Sequence, residues 1–319
     1  MDAAIDPALL ARFEADLRRI RPEGKLGLAV SGGPDSMALL ALAHALLGGG
    51  VAVATVDHGL RPEAAAECAL VAEVCEQRAI PCRILSVEVE KGNVLDRART
   101  ARYAALGAWA ESQGLAAIAT AHHADDQTET LIMRLNRGSG LAGLAGIRSS
   151  TMMEGCPVPI VRPLLGFRKS ELRNLLERAG VPFAEDPSNR DASYERVRIR
   201  RHLERADWID SLAVSRSAAH LEQAECALDA VTLELWESRA SVGAARVAVP
   251  ASDSPEITRR LLGMAVASLG GMATQGQIAA FLDSGDRRAN VAGVLIERQA
   301  EGYVCTPEPP RRGEARQIR

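Results

Sequence analysis

The sequence predicts an α/β protein built on a parallel sheet, followed by a smaller, mainly helical C-terminal domain. Between Lys25 and about Gly143, short apolar runs alternate with longer helical patterns, which is typical of strand–helix–strand units. Three of these runs end in clusters of polar residues. Because ligands of such sheets bind at the carboxyl ends of the strands, the clusters are expected to line one crevice.

The elements follow in order along the chain. Apolar runs predict strands over residues 26–30, 51–56, 84–87 and 116–121. The later half is mainly helical, with one helix predicted over 208–240 and two more over 255–283; segments 291–297 and 303–306 predict a closing hairpin. We therefore expect one domain over residues 1–207 and a second over 208–319, with a mobile tail from Pro307.

Composition limits the classes of function. The chain has 319 residues, of which 47% are hydrophobic and 25% charged, as in ordinary globular proteins with room for two domains. No apolar run is long enough to span a bilayer, and the first residues lack signal-peptide features, so we expect a cytoplasmic protein without membrane contact. The net charge of −3 means that any contact with nucleic acid must come from local basic patches.

The most informative segment is the turn after the first predicted strand, which reads SGGPDS and consists of Ser31, Gly32, Gly33, Pro34, Asp35 and Ser36. Glycines let the backbone approach a ligand, and proline suits the first position of a helix. A helix start directs N–H groups at one point and binds phosphate. Asp35 would repel a polyphosphate unless Mg²⁺ lay between them. The turn therefore predicts a magnesium–nucleotide site.

The same turn excludes two common nucleotide sites. It lacks the Lys of the G-x-x-x-x-G-K-[ST] loop, and it is not the G-x-G-x-x-G fingerprint of dinucleotide-binding proteins.

A second polar cluster, HHADDQTET, opens the helix after the fourth predicted strand. Asp126 and Glu129 are three positions apart, and Asp125 and Glu129 four, so these carboxylates share one face near the first turn. Such a cluster can hold Mg²⁺ or an ammonium group. Capping of the helix is the simpler role for Asp125, whereas Asp126 is expected to face the crevice.

The densest basic run is formed by Arg196, Arg198, Arg200, Arg201 and Arg205. Arg196 and Arg200 share a helix face, as do the other three arginines. We expect contact with phosphate oxygens of RNA or of a nucleotide. A solvated face is the simpler alternative.

Six segments together resemble the tRNA(Ile)-lysidine synthases, a family of the PP-loop ATP pyrophosphatase superfamily. They are SGGPDS, VDHGLRPEA, ARTARYAAL, AHHADDQTETLIMRLNRGSGLAGLAG, RPLLGFRKSEL and EDPSNRDASYERVRIR, and they span residues 27 to about 205. SGGPDS is shared by the whole superfamily, whereas the HHADDQTET block followed by RGSG and DPSN is more particular. The chain departs from the family at Val197, where Asn is usual, and it resembles the short form without a further C-terminal domain.

The resemblance implies a parallel-sheet fold like that of the adenine nucleotide α-hydrolases and a ligase reaction that uses ATP and Mg²⁺. Such an enzyme would adenylate the C2 carbonyl oxygen of the first anticodon cytidine in CAU-anticodon tRNA(Ile). Free L-lysine would then displace AMP and give lysidine. The first domain would be the nucleotide-binding catalytic domain and the second would contact tRNA. A homodimer is among the assemblies that the sequence allows.

The resemblance also implies roles for individual residues. The candidate catalytic residues are Asp35, Asp126, Glu129 and His123, with Asp35 and Asp126 as magnesium ligands. The candidate ATP contacts are Ser31, Gly32, Gly33, Pro34, Asp35 and Ser36. The candidate contacts to tRNA or phosphate are Arg61, Arg102, Arg196, Arg200 and Arg201.

Two alternatives stay open. A PP-loop tRNA thiolase would also activate a base carbonyl, but such enzymes typically need cysteine pairs, and the six cysteines form no C-x-x-C pair. A tRNA-binding protein with a dead nucleotide site is the other, and the intact SGGPDS and Asp126 argue against it.

Overall fold

A computed structural model describes residues 5–20, 22–57, 59, 62–87, 94–185 and 195–308. Contacts divide the chain into two compact units, Met1–Glu222 and Gln223–Arg319. This division lies later in the chain than the expected domain boundary near residue 207, which stays a prediction. The expected mobile tail falls largely on residues 309–319, outside the described residues, and Pro307 itself ends a strand.

The first unit alternates strands and helices, as predicted. Its strands are β1 (Leu26–Ala29), β2 (Val51–Asp57), β3 (Cys82–Ser86), β4 (Ala117–Ala119), β5 (Ser150–Thr151) and β6 (Ile160–Val161). Its helices are α1 (Pro7–Ile20), α2 (Pro34–Leu47), α3 (Pro62–Glu76), α4 (Val94–Ser112), α5 (Ala124–Asn136), α6 (Leu141–Leu144), α7 (Lys169–Ala179) and α8 (Glu195–Leu203). The four expected strands correspond to β1–β4. The two-residue strands β5 and β6 are too short to give a periodic signal.

The sheet has the strand order β3-β2-β1-β4-β6-β5 and is parallel except for the β5–β6 pair. The chain moves outward from β1 to β3 and then returns to β4 on the other side of β1. The carboxyl ends of β1 and β4 therefore flank the point where the strand order reverses, and this is where open α/β sheets bind their ligands.

Helices cover both faces of this sheet, so the side chains of β1 point alternately into two cores. Leu26 and Leu28 belong to the core that contains α1, α2 and α7, whereas Ala29 belongs to the core under α4. Gly27 lies between them against Trp109, and a Cβ there would lie 2.9 Å from the Trp109 ring. Central strand β1 is thus fixed from both sides, and so is the turn that follows it.

The second unit contains the end of α9 (Ser211–Arg239), together with α10 (Pro255–Ser268) and α11 (Gln275–Ser284). Its antiparallel sheet has the order β7-β8-β11-β10-β9. The strands are β7 (Ser241–Gly243), β8 (Arg246–Pro250), β9 (Arg288–Val291), β10 (Val294–Gln299) and β11 (Gly302–Pro307).

The prediction of a mainly helical second domain is therefore confirmed only in part. The three expected helices exist as α9, α10 and α11, and the expected hairpin is β10–β11. However, that hairpin belongs to a five-stranded sheet. Strand β8 reads RVAVP, in which Ala248 and Pro250 break the alternation of apolar and polar residues, and five residues are a weak signal beside long helices. Within the described ranges, no helix has both the length and the apolar character needed to cross a membrane.

Candidate active site

The SGGPDS turn is held by its own serines. The Ser31 backbone N–H donates to the Ser36 hydroxyl at 3.1 Å, and that hydroxyl donates to the Gly33 carbonyl oxygen at 3.0 Å. Gly32 has φ +86°, and a Cβ there would also lie 3.1 Å from the carbonyl oxygen of Glu67. Pro34 takes the first position of α2. The sequence thus fixes a helix start at the carboxyl end of β1.

A cavity of about 480 Å³ opens beside this helix start. From the SGGPDS turn it is lined by Ser31, Gly33, Pro34, Asp35 and Ser36. The other polar side chains of its wall are Glu67, Arg102, Thr120, His122, His123, Asp126, Lys169, Arg196 and Arg200. This volume lies in the range of small-molecule sites, and the cavity contains most of the predicted site residues.

Asp35 carries the clearest sign of a ligand that binds here. Its Oδ1 atom is buried and has no hydrogen-bond partner among the described residues, although buried polar atoms are nearly always paired. Its Oδ2 atom lies 3.5 Å from Nε2 of His123, and Oδ2 of Asp126 lies 3.4 Å from the same nitrogen. Mg²⁺ in nucleotide sites takes one or two carboxylates and completes its shell with phosphate and water. The two aspartates therefore fit a magnesium ion.

Further protein ligands for such an ion are not arranged nearby. In the described part of the chain, no group of three or more His, Cys, Asp or Glu side chains could hold a metal ion.

His123 begins α5 and binds three carboxylates. Its backbone N–H donates to Asp126 Oδ2 at 3.1 Å, and its ring nitrogens lie 3.4–3.5 Å from Asp35, Asp125 and Asp126. Burial lowers the pKa of His123, but hydrogen bonds to Asp125 and Asp35 and the charge of Asp126 outweigh it and raise the pKa to about 10. The ring is therefore a cation at neutral pH, which keeps the aspartates close together and makes it a poor base.

The neighbouring His122 is the opposite case. Burial lowers its pKa to about 4, so its ring is neutral, and Nδ1 lies 3.1 Å from the Thr120 hydroxyl. Two adjacent histidines of the cavity wall thus have different charges because only His123 faces three carboxylates.

Glu129 connects α5 to the arginines of α8. Its side chain is 3% exposed. Arg196 donates to Glu129 at 2.7 Å and to Asp126 at 2.9 Å, and Arg200 donates to Glu129 at 2.6 and 3.2 Å. The bond to Glu129 raises the pKa of Arg200. The sequence predicts Asp126 and Glu129 on one helix face and Arg196 and Arg200 on another, and the structure joins these two pairs by hydrogen bonds.

Arg102 also lines the cavity, and its Nε atom is buried without a hydrogen-bond partner among the described residues. Burial lowers its pKa, although a guanidinium stays charged at neutral pH. Arg201 is exposed and is not among the lining residues. Arg61 lies outside the described residues.

Several residues that line the cavities were not predicted from the sequence. Lys169 is the clearest, because it starts α7 and its backbone N–H donates to the Asp125 carboxylate at 2.8 Å. It lines both the first cavity and a second one of about 210 Å³, as do His123 and Arg200. Its position inside the RPLLGFRKSEL segment was a usable signal, since that segment belongs to the resemblance.

Comparisons with known proteins agree with this geometry. A family model described as a PP-loop domain matches residues 7–206. The tRNA(Ile)-lysidine synthase of Novosphingobium aromaticivorans is 43% identical over 96% of this chain and 96% of its own length. The chain belongs to the tRNA(Ile)-lysidine synthase family. The synthases of Zymomonas mobilis and Rhodopseudomonas palustris are 42% and 37% identical, over 78% and 91% of this chain and 77% and 92% of their own lengths.

The family assignment covers the candidate site, because every residue that lines the first cavity lies between positions 29 and 200, within the matched PP-loop domain. A solved U34-tRNA thiolase, NcsA from Methanococcus maripaludis with its [4Fe-4S] cluster, aligns with a TM-score of 0.57 at 17% identity, over 67% of this chain and 78% of its own. That likeness shows a shared fold. None of the six cysteines is among the residues lining either cavity.

Proposed function

We propose that this protein ligates free L-lysine to C2 of the first anticodon cytidine of CAU-anticodon tRNA(Ile). The reaction uses ATP, passes through an adenylated tRNA and releases AMP and pyrophosphate. One observation carries the proposal: a glycine-containing helix start, three arginines and a buried carboxylate oxygen without a partner among the described residues line one cavity in a chain 43% identical to a named tRNA(Ile)-lysidine synthase.

The first half-reaction transfers AMP to the base. The ATP phosphates would bind at the start of α2, where backbone N–H groups favour anions. Arg102, Arg196 and Arg200 line the same cavity and would contact phosphate oxygens. The cytosine O2 atom attacks the α-phosphorus, and the bond to the bridging oxygen of pyrophosphate breaks. Asp35 and Asp126 would hold Mg²⁺, which offsets the charge that develops on the leaving pyrophosphate.

The second half-reaction forms the C–N bond. The ε-amine of lysine attacks C2 of the adenylated cytidine, and the bond between C2 and the AMP oxygen breaks, so AMP leaves with that oxygen. The ε-ammonium group must first give one proton to solvent water, and its nitrogen gives a second proton to solvent after the C–N bond has formed. The Asp125 and Asp126 carboxylates, which stay ionised because His123 and their hydrogen bonds lower their pKa values against burial, would attract the incoming ammonium group.

We propose that the first domain, 1–207, carries both half-reactions and that the second, 208–319, contacts tRNA. We also propose a cytoplasmic location, because ATP, lysine and tRNA are all available there. We propose a homodimer as the assembly, and the molecular mass in solution tests it.

The test incubates the purified chain with ATP, Mg²⁺, labelled lysine and CAU-anticodon tRNA(Ile). We expect label in the tRNA in proportion to the AMP released. The matched control is the same tRNA with uridine at the first anticodon position, which should accept no label. Transfer of sulfur from a sulfur donor, without lysine ligation, would instead support a thiolase. Binding of tRNA without release of AMP would support a dead nucleotide site.

A further inference from the structure

Among the described residues, Trp208 is the one aromatic side chain that is largely exposed, at 82%. The other tryptophans are placed differently, since Trp109 is 7% exposed and Trp236 packs against the core of the second unit. A single exposed apolar residue is ordinary in itself. The residues that precede Trp208 in the chain distinguish it from an ordinary exposed residue.

Trp208 follows the arginine-rich helix α8. Three exposed arginines precede it within ten positions: Arg198, Arg201 and Arg205. The exposed acids of the same stretch are Glu204 and Asp207, so the local excess of positive charge is small. An aromatic ring beside guanidinium groups offers a stacking face and phosphate contacts at once.

The same helix connects Trp208 to the candidate active site. Arg196 and Arg200 line the first cavity, while Leu203, Glu204 and Ile209 line the second. Trp208 directly precedes Ile209 in the chain, and Ile209 lines the second cavity, which shares His123 with the first. Trp208 is thus one position away in sequence from a residue of the candidate site.

We propose that Trp208 is a stacking platform for an unpaired base of the RNA substrate, with exposed arginines of α8 on the neighbouring phosphates. The proposal rests on the proposed function, which supplies an anticodon loop as ligand. Unpaired loop bases can be splayed out and stacked on an aromatic side chain, whereas paired bases present no free face. Because the charge excess is small, stacking is expected to contribute more than phosphate contacts.

The first test measures binding of a fluorescein-labelled RNA hairpin with a CAU anticodon loop by anisotropy. Trp208→Ala should weaken binding roughly 5- to 150-fold, the range for loss of one base–aromatic stack. Trp208→Phe should keep most of the affinity because it keeps a ring, and Trp208→Leu should be as weak as the alanine variant. The matched control is Met152→Ala, which removes an apolar side chain 61% exposed in the first unit that lines neither cavity, and the affinity should stay unchanged.

A second probe isolates the unpaired bases. The same stem closed by a compact tetraloop should bind wild-type protein and Trp208→Ala equally, because its bases are already stacked. A loss of the same size on both hairpins would mean that Trp208 contacts the stem, which contradicts the proposal.

The arginines have their own readout. Replacing Arg201 and Arg205 by Ala should lower the slope of log affinity against log salt concentration by about 1.4, or about 0.7 for each phosphate contact to a single strand. Arg178→Ala is the control, since it removes an exposed arginine from α7. An unchanged slope in the double variant would remove the arginines from the proposal.

Lysine ligation separates this proposal from the function on which it rests. Trp208→Ala should raise KM for tRNA and leave kcat and KM for ATP unchanged. If wild-type protein ligates lysine and Trp208→Ala has an unchanged KM for tRNA, the stacking surface is wrong and the function stands. If hairpin binding depends on Trp208 but no lysine is ligated, the function is wrong. A change of oligomeric mass in Trp208→Ala would identify a self-association surface instead.

Discussion

At the scale of single residues, the chemistry of the site depends on which atoms contact each other, and the sequence alone does not show these contacts. The sequence predicts a magnesium role for Asp35 because its carboxylate would otherwise repel a bound polyphosphate, and the structure adds that Oδ1 is buried without a partner among the described residues. His123 is one of the candidate catalytic residues of the sequence. Its position between three carboxylates makes it a cation instead of a base.

Asp35→Asn should lower the rate of AMP formation on the order of 100-fold or more, because it removes a charged metal ligand. The fold should stay intact, since Asp35 contributes no apolar contact to the core. Pyrophosphate release measured over a range of Mg²⁺ concentrations checks this. Glu111→Gln, which neutralises an exposed carboxylate on α4, is the control. Full activity of the Asp35 variant would remove the magnesium role.

The two glycines of the turn give a matched pair. Gly32→Ala forces a side chain into φ +86° against the Glu67 carbonyl oxygen and should destabilise the protein by roughly 1–2 kcal/mol. Gly33→Ala meets only the Ser31 hydroxyl at 3.8 Å and should melt like wild type. Thermal melting measures both. Any loss of ATP affinity in Gly33→Ala then reports how closely the nucleotide approaches the backbone.

At the scale of elements, α5 and α8 form one unit of the site although they are far apart in sequence. Glu129 is buried and accepts hydrogen bonds from Arg196 and Arg200. The helical spacing predicted that the two arginines share a face, and this is confirmed. Their pairing with α5 was not predictable, because nothing local in the sequence connects positions 67 to 71 residues apart.

A double-mutant cycle on Glu129→Gln and Arg200→Gln should show a coupling of roughly 0.5–3 kcal/mol in the free energy of unfolding. The cause is the burial of Glu129, which leaves either partner poorly solvated when the other is removed. The exposed pair Arg137–Glu195, also between the end of α5 and α8, is the control and should couple by about 1 kcal/mol or less. Urea titration measures both cycles. Equal couplings would mean that the Glu129 pair acts as a surface ion pair.

At the scale of the whole molecule, the sequence predicted the first unit better than the second. The strands β1–β4 carry apolar runs, and three of these runs, β1, β2 and β4, are followed by polar clusters; both signals are local. In the second unit, β8 and β9 are short, and their pairing with β10 and β11 follows from tertiary contacts. The boundary between the two units also has no local signal in the sequence. It lies at Glu222, inside helix α9, which runs without interruption from Ser211 to Arg239.

Each unit has a hydrophobic core of its own, so a substitution that creates a cavity in one core should affect only the function of that unit. Leu261 is fully buried in the core of the second unit, and Leu261→Ala should lower the free energy of unfolding of that unit by about 2–5 kcal/mol. Trp236 fluorescence in a Trp109→Phe, Trp208→Phe background follows its unfolding in urea. The affinity for ATP should not change, because every residue lining the nucleotide cavity lies in the first unit.

The same variant tests whether the second unit contacts tRNA. Near the unfolding midpoint of the second unit, Leu261→Ala should raise KM for tRNA while KM for ATP stays at the wild-type value. Leu106→Ala is the matched control, since Leu106 is fully buried in a core of the first unit, and its destabilisation should affect ATP and tRNA together. If KM for tRNA were unchanged with the second unit unfolded, all tRNA contacts that matter for ligation would belong to the first unit, where Trp208 lies.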